Sequence, residues 1–212
     1  MSNPSKQLFC FGLGFSGQAL AHLALKNGWT VSGTVRTEEK AQRLRARGIG
    51  AFVFDASTAT ALSEEIITAL HQSTHILQSI GTAKSGDDPL LPLIQPLAGA
   101  LQPEWAGYLS TTVVYGDWQG ALVDETSPAR STSTRGLSRL TAEAAWAALG
   151  WPLHVFRLAG IYGLGRNALE TVRGGRARII DKPDQVFSRI HVQDIATAVF
   201  ASMQARTATP AQ

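Results

Sequence analysis

The sequence predicts an α/β protein built on a doubly wound parallel sheet, and three observations carry that reading. Short apolar runs alternate with amphipathic stretches of about 10–15 residues, the pattern of repeated β-α-β units. Glycines stand where the runs turn over, as at Gly12, Gly28 and Gly48. The chain has 212 residues, 44% of them hydrophobic and 17% charged, which is enough to bury one large core and too apolar for a disordered chain.

The elements follow in order. Gln7–Phe11 is a short apolar run closed by glycine and reads as a buried strand. Residues 16–27 place Leu20, Leu23, Ala24 and Asn27 at helical spacing, with Gly28 set to end the helix. Thr30–Val35 is β-branched and strand-like, and residues 38–47 form a charged surface helix ending at Gly48. Residues 51–54 are a third strand. Residues 58–70 are a third helix with Leu62, Ile66 and Leu70 on one face. A fourth strand covers 75–79, a proline-marked helix 90–101, and a fifth strand 107–112. An alanine-rich helix over 136–149 and a sixth strand, Leu153–Leu158, complete the alternation. No linker or internal repeat divides the chain, so 1–212 is expected to be one domain. Its substrate side should fall at about 160–190, and a frayed tail is expected at 206–212.

Composition removes several classes. The single cysteine, Cys10, precludes an internal disulfide framework and argues against structural zinc, which favours a reducing, cytoplasmic setting. The net charge of +3 comes from dispersed basic residues rather than a run. The apolar stretch after Lys6 imitates a signal peptide, but Gly12, Gly14 and Gly17 punctuate it and it flows into an amphipathic helix. The segment from Pro89 to Leu101 is too short, and too interrupted by prolines, for a membrane span. His71 and His75 have an i, i+4 metal-like spacing, but they straddle a helix end and a strand start and would not share a face.

Gly12-Leu-Gly14-Phe-Ser-Gly17 lies between the first strand and the first helix. In that setting a Gly-x-Gly-x-x-Gly motif is a dinucleotide fingerprint. Gly12 allows the turn, Gly14 lets a pyrophosphate approach the backbone, Gly17 lets helix and sheet pack closely, and the helix N-terminus offers free N–H groups. Phe15 and Ser16 sit inside the loop, Ser16 as a phosphate contact; Ile80 and Gly81, after the fourth strand, complete the expected cofactor rim. The second strand ends without a carboxylate, at Arg36, whose guanidinium could hold a 2′-phosphate bidentately. NADP(H) is therefore expected as cofactor, with NAD(H) as the alternative. Asp55, closing the third strand, would lie near the adenine edge or cap a helix.

Further motifs join this one. Leu109-Ser-Thr-Thr-Val-Val-Tyr-Gly116, Arg157-Leu-Ala-Gly-Ile-Tyr-Gly163 and Phe187-Ser-Arg-Ile-His-Val-Gln-Asp-Ile-Ala196 follow the glycine fingerprint in order. From Leu8 to Met203 the chain resembles the extended short-chain dehydrogenase/reductases, the NAD(P)-dependent epimerase/dehydratases with a Rossmann fold. That resemblance implies that Thr111 polarises a substrate oxygen and that the Arg157 motif lines the nicotinamide pocket. It also implies that His191 and Asp194 belong to a segment docking a helix on the sheet.

One departure stands out. The family's Tyr-x-x-x-Lys pair is absent: with Glu143 as anchor, Arg135 stands at the tyrosine position and Arg139 at the lysine position. None of Lys6, Lys26, Lys40, Lys84 or Lys182 has a tyrosine four residues before it. Arginine stays protonated in proteins and cannot be the acid or base. Arg139 could still hold the nicotinamide ribose, and Arg135 an anionic substrate group. The chain thus resembles an atypical subgroup that keeps the fold without the usual active site. Family members usually continue well beyond the last motif, so the chain is expected to be either a shortened member with a reduced C-terminal substrate region or part of a longer protein. Two functions remain open: an NAD(P)-dependent oxidoreductase or epimerase on a small carbonyl or sugar-like substrate, and a catalytically silent dinucleotide sensor acting through a protein partner. A homodimer is a further expectation. Neither a membrane nor nucleic acid is expected as a partner, although Arg130, Arg135 and Arg139 would be the residues for nucleic acid.

Overall fold

The computed structural model describes residues 6–83, 85–178, 181 and 186–205; the tail anticipated at 206–212 lies outside them. Six strands form the main sheet: β1 (Gln7–Phe11), β2 (Thr30–Val35), β3 (Gly50–Val53), β4 (His75–Gln78), β5 (Trp105–Thr111) and β6 (Leu153–Leu158). Their order is β3-β2-β1-β4-β5-β6 and every pairing is parallel. Parallel pairing needs crossovers, which the helices supply: α1 (Phe15–Lys26), α2 (Glu38–Arg45), α3 (Glu64–Gln72), α4 (Leu91–Ile94) and α5 (Thr134–Ala147). The doubly wound α/β fold read from the alternation is present.

The central strand shows why its sequence lacks a polar face. Leu8 and Cys10 point to one side, where α1, α2 and the last helix, α7 (Val192–Gln204), pack. Phe9 and Phe11 point to the other, into α3, α4 and α5. Both faces are covered, so all four side chains are buried and the run is continuously apolar. Burial pushes the Cys10 thiol up to about 12, which makes it an inert core residue. Gly33 of β2 is required by a close approach, since a Cβ there would strike the Cys10 carbonyl on β1.

Several boundaries differ from the sequence reading, each for a local reason. The third helix starts at Glu64, not at 58, because Asp55 closes a turn with Ser57 and Ser63 caps the helix at the Ile66 N–H. Asp55 is therefore not a helix cap. The proline-marked segment contains only the short α4 and a 3₁₀ turn at Gln95–Leu97, because Pro96 has no N–H to donate to the Pro92 carbonyl, while Pro92 sits in the first turn, where none is needed. β5 begins at Trp105 and ends at Thr111, with Thr112–Tyr115 in a 3₁₀ turn. Ser133 caps α5, so that helix starts at Thr134.

A second sheet was not anticipated. β7 (Gly160–Tyr162) and β8 (Arg189–His191) pair in parallel, with α6 (Ala168–Arg173) between them in sequence. Three-residue strands carry no readable alternation. β8 leads into α7, whose first turn is capped by His191 accepting from the Gln193 N–H. α7 carries Val192, Ile195, Ala196, Val199, Phe200 and Met203 into the core. Its far end is tied to the sheet by polar contacts: His75 Nε2 to the Met203 carbonyl oxygen at 3.1 Å, and Trp105 Nε1 donating to Ser202 Oγ at 3.0 Å. The docking role read for this segment agrees with that packing. Among the described residues, no helix is long and apolar enough to cross a membrane.

Candidate dinucleotide site and its cleft

The strand order reverses direction between β1 and β4, and in open α/β sheets ligands bind in the crevice at such a point. The glycine loop fills it from the β1 side. Gly12 has φ of 87°, a conformation that favours glycine, and its N–H donates to Thr34 Oγ1 at 2.9 Å. The Leu13 N–H donates to the Thr34 carbonyl at 2.7 Å, so β2 grips the loop twice. From just past the end of β4, Ser79 Oγ donates to the Gly12 carbonyl at 2.6 Å. A Cβ at Gly17 would come within 2.6 Å of that same carbonyl, which is why helix and loop can close only over glycine. Thr34 and Ser79 were not identified as site residues from the sequence. A hydroxyl next to a glycine loop carries no signal until the neighbouring strands are aligned.

The loop leaves the start of α1 open. Gly14 occupies the capping position without a side-chain hydrogen bond, and no acidic residue lies in the first turn. The first-turn N–H groups at Phe15, Ser16 and Gly17 therefore present their partial positive charge to the crevice. This cradle suits a pyrophosphate. Gly81 faces it from β4's end, and Ile80 packs where a Gly12 side chain would stand, its N–H held by Gln78 Oε1 at 2.7 Å.

Arg36 is exposed just past the end of β2. Asp55, past β3, accepts from the Ser57 N–H and hydroxyl at 3.0 and 2.6 Å. Those bonds, with a smaller contribution from the Arg36 charge, hold its carboxyl below the usual range. Arg36 forms no ion pair with any described residue.

Beyond the loop, a cleft of about 770 Å³ runs between the ends of β5 and β6 and the β7–β8 sheet. Gly14, Phe15, Ser16 and Gly81 line one end of it, and Thr111 and Arg139 line its wall. Thr111 Oγ1 accepts from the Val113 N–H at 3.4 Å, leaving its hydroxyl proton for a ligand. Arg139 donates to the Tyr108 hydroxyl at 2.8 Å and lies beside Gly81. Tyr108 is fully buried; burial raises its pKa, and the Arg139 charge partly opposes that rise. Arg130, by contrast, stacks on Trp118 with 3.8 Å to the ring centroid.

The Arg157 motif reaches the cleft through the residues that follow the arginine. Its guanidinium pairs with Glu143 at 2.9 Å and lies over the Tyr115 ring, while Leu158, Ala159, Gly160 and Ile161 line the cleft after it. Glu143 is buried and also accepts from Ser110 Oγ. Hydrogen bonding to Glu143 is the chief reason the Arg157 pKa is raised. Residues 158–161 thus form part of the cleft wall, and the arginine itself ties α5 to β6.

A glycine fingerprint at the switch point of a 3-2-1-4-5-6 parallel sheet defines an NAD-binding Rossmann domain. Residues 7–94 match the family model described as the NAD binding domain of 6-phosphogluconate dehydrogenase. The chain is 40% identical to a conserved protein of unknown function from Silicibacter pomeroyi DSS, covering 97% of this chain and 70% of that one with a TM-score of 0.81. It belongs to the same family as that protein. It is also similar to Protein YeeZ of Escherichia coli K12, at 26% identity over 94% of this chain and 74% of the relative. The fold is shared with MoeE5 in complex with UDP-glucose and NAD: TM-score 0.77, 17% identity, covering 95% of this chain and 73% of that one.

Proposed function

We propose that the protein is an NADP(H)-dependent oxidoreductase or epimerase of the epimerase/dehydratase type, acting on a small carbonyl or sugar-like substrate through a non-standard active site. One observation carries the reading: a single cleft joins the uncapped start of α1 to Thr111 and Arg139. The loop N–H groups at Phe15, Ser16 and Gly17 would hold the pyrophosphate, Gly12 and Gly14 would admit it, and Ile80 and Gly81 would close the rim. Arg36 would hold the adenosine 2′-phosphate, with Asp55 beside it at the adenine edge. Arg139, anchored on Tyr108, would hold the nicotinamide ribose. A bound nicotinamide supplies or accepts hydride; Thr111 hydrogen-bonds the substrate oxygen. Neither Arg135 nor Arg139 can take the tyrosine's part as acid or base, so the proton passes through Thr111, water or a group of the substrate. This marks an atypical subgroup.

The test is a titration of wild type and Arg36→Ala with NADPH and NADH. NADPH should bind more tightly to wild type, and the substitution should weaken NADPH about tenfold or more while leaving NADH unchanged, as expected for a lost charge-assisted phosphate contact of about 1.5–3 kcal/mol. Binding of neither nucleotide by folded protein would overturn the cofactor assignment. The Arg-x-x-x-Arg replacement of the catalytic pair also supports a second reading, a catalytically silent sensor. Tight NADPH binding with no oxidation by a panel of aldehydes and ketones would decide for it.

A further inference from the structure

The cleft has a charge pattern that the dinucleotide does not account for. Four arginines line it, Arg135, Arg139, Arg166 and Arg189, and among the described residues no aspartate or glutamate does. None of the four forms an ion pair with a described carboxylate. Like charges on the walls of one cleft focus a positive potential, which draws an anion to it. Two of the four face the cofactor's side. Arg139 is fixed on Tyr108 beside Gly81, and Arg166 lies over Phe15 of the glycine loop, 5.6 Å from the ring centroid.

Arg135 and Arg189 are left over, and they come from different walls. Arg135 is in the first turn of α5, exposed, at the position where the family carries its proton-donating tyrosine. Arg189 is on β8 and its place is built: its guanidinium lies across Gly160, where a Cβ would come within 2.6 Å of Nη1. It also stacks over Phe187 at 5.1 Å and donates to the Ser188 carbonyl at 3.2 Å. One Nη1 contact leaves most of its five donors for an oxyanion, which guanidinium binds bidentately.

We infer that Arg135 and Arg189 form an oxyanion site for the substrate, so that the substrate is a small compound bearing a carboxylate or phosphate next to its reacting carbon. The inference rests on the cofactor reading only in assigning the remainder of the cleft to the substrate. It explains why an arginine stands at the tyrosine position: the residue holds charge there and moves no proton.

The test uses oxalate and inorganic phosphate as probes, titrated calorimetrically at constant ionic strength into the full chain, with and without saturating NADP⁺. Wild type, Arg135→Gln, Arg189→Gln and the distant control Arg43→Gln are compared, with NADPH affinity and thermal midpoint measured for each. The expected result is at least a tenfold loss of oxyanion affinity in the first two variants, none in the control, and NADPH affinity within about threefold of wild type. Preference for oxalate would indicate a carboxylate substrate, and preference for phosphate a phosphate ester. Where a Gln variant is destabilised, Arg→Lys at the same position, which keeps the charge, should retain more affinity than Gln. Failure of either probe to bind folded wild type, or equal binding by all variants, overturns the inference. A parallel loss of NADPH affinity also overturns it, since the arginines would then hold the cofactor. Should wild type bind no NADPH, the cofactor reading fails separately and the titrations without NADP⁺ still decide the oxyanion site.

Discussion

At the scale of the residue, the glycine loop tolerates least. Gly17 faces the Gly12 carbonyl, an atom of the backbone that cannot rotate aside, so a methyl group there must push α1 away from β1. Gly17→Ala should cost about 1–3 kcal/mol, read as a lower urea midpoint at unchanged slope, and should weaken NADPH binding in parallel. An alanine variant as stable as wild type and with the same NADPH affinity would show that the loop can shift without harm. This residue was legible in the sequence because a glycine's role is to be absent, and spacing reports absence. Thr34 and Ser79 are as closely engaged with the loop but were not legible. Their partner is 22 and 67 residues away, and only strand pairing shows which hydroxyl meets Gly12.

At the scale of the element, local signals located every main strand and missed chiefly where a helix starts. The apolar spacing of Leu62, Ile66 and Leu70 is real and all three are buried, yet the helix begins only after Ser63. Leu62 enters the core from the preceding loop. The cap decides the boundary, because the first-turn N–H groups need acceptors and Ser63 supplies one to Ile66. Ser63→Ala should therefore lose about 1 kcal/mol of stability without changing nucleotide affinity. No loss in denaturant unfolding would mean that packing of Ile66 and Leu70 alone holds the helix. The β7–β8 pair marks the opposite limit. Its strands are short and separated by α6, so nothing periodic announces them, yet they form one wall of the cleft.

At the scale of the whole molecule, α7 closes the first face of the sheet, and His75 records how tightly. The ring lies buried at the start of β4, an interior strand, against Trp29, at 4.6 Å between ring centroids, with Nε2 on the Met203 carbonyl. Burial lowers its pKa, and the Met203 carbonyl only partly offsets that. Folded His75 therefore resists the proton that unfolded His75 accepts near pH 6.5, so folding stability falls as pH drops through that value and the penalty is absent above it. His75→Gln should start less stable but lose less of its thermal midpoint between about pH 7 and about pH 5 than wild type does. Equal pH slopes in the two proteins would remove His75 as the cause. His154, also lowered by burial, remains in the variant and leaves a residual slope.

Local patterns along the chain suffice for the α/β alternation, the both-sided burial of β1 and the dinucleotide loop. Each rests on interactions within a few residues: the spacing of apolar side chains, a turn that needs positive φ, a helix start without a cap. The sequence also put arginines at 135 and 139, where the resemblance expects a tyrosine and a lysine, since residue identity needs no fold. What the arginines touch depends on the whole fold. Arg139 lies on Tyr108, Arg157 pairs with Glu143 rather than facing the cleft, Arg130 stacks on Trp118, and Arg189 crosses Gly160. A guanidinium sits at the end of a long, flexible stem, and its partner is chosen by which backbone and which charge the fold brings within reach. Those partners are carried on different strands, helices and turns, and no local pattern announces them.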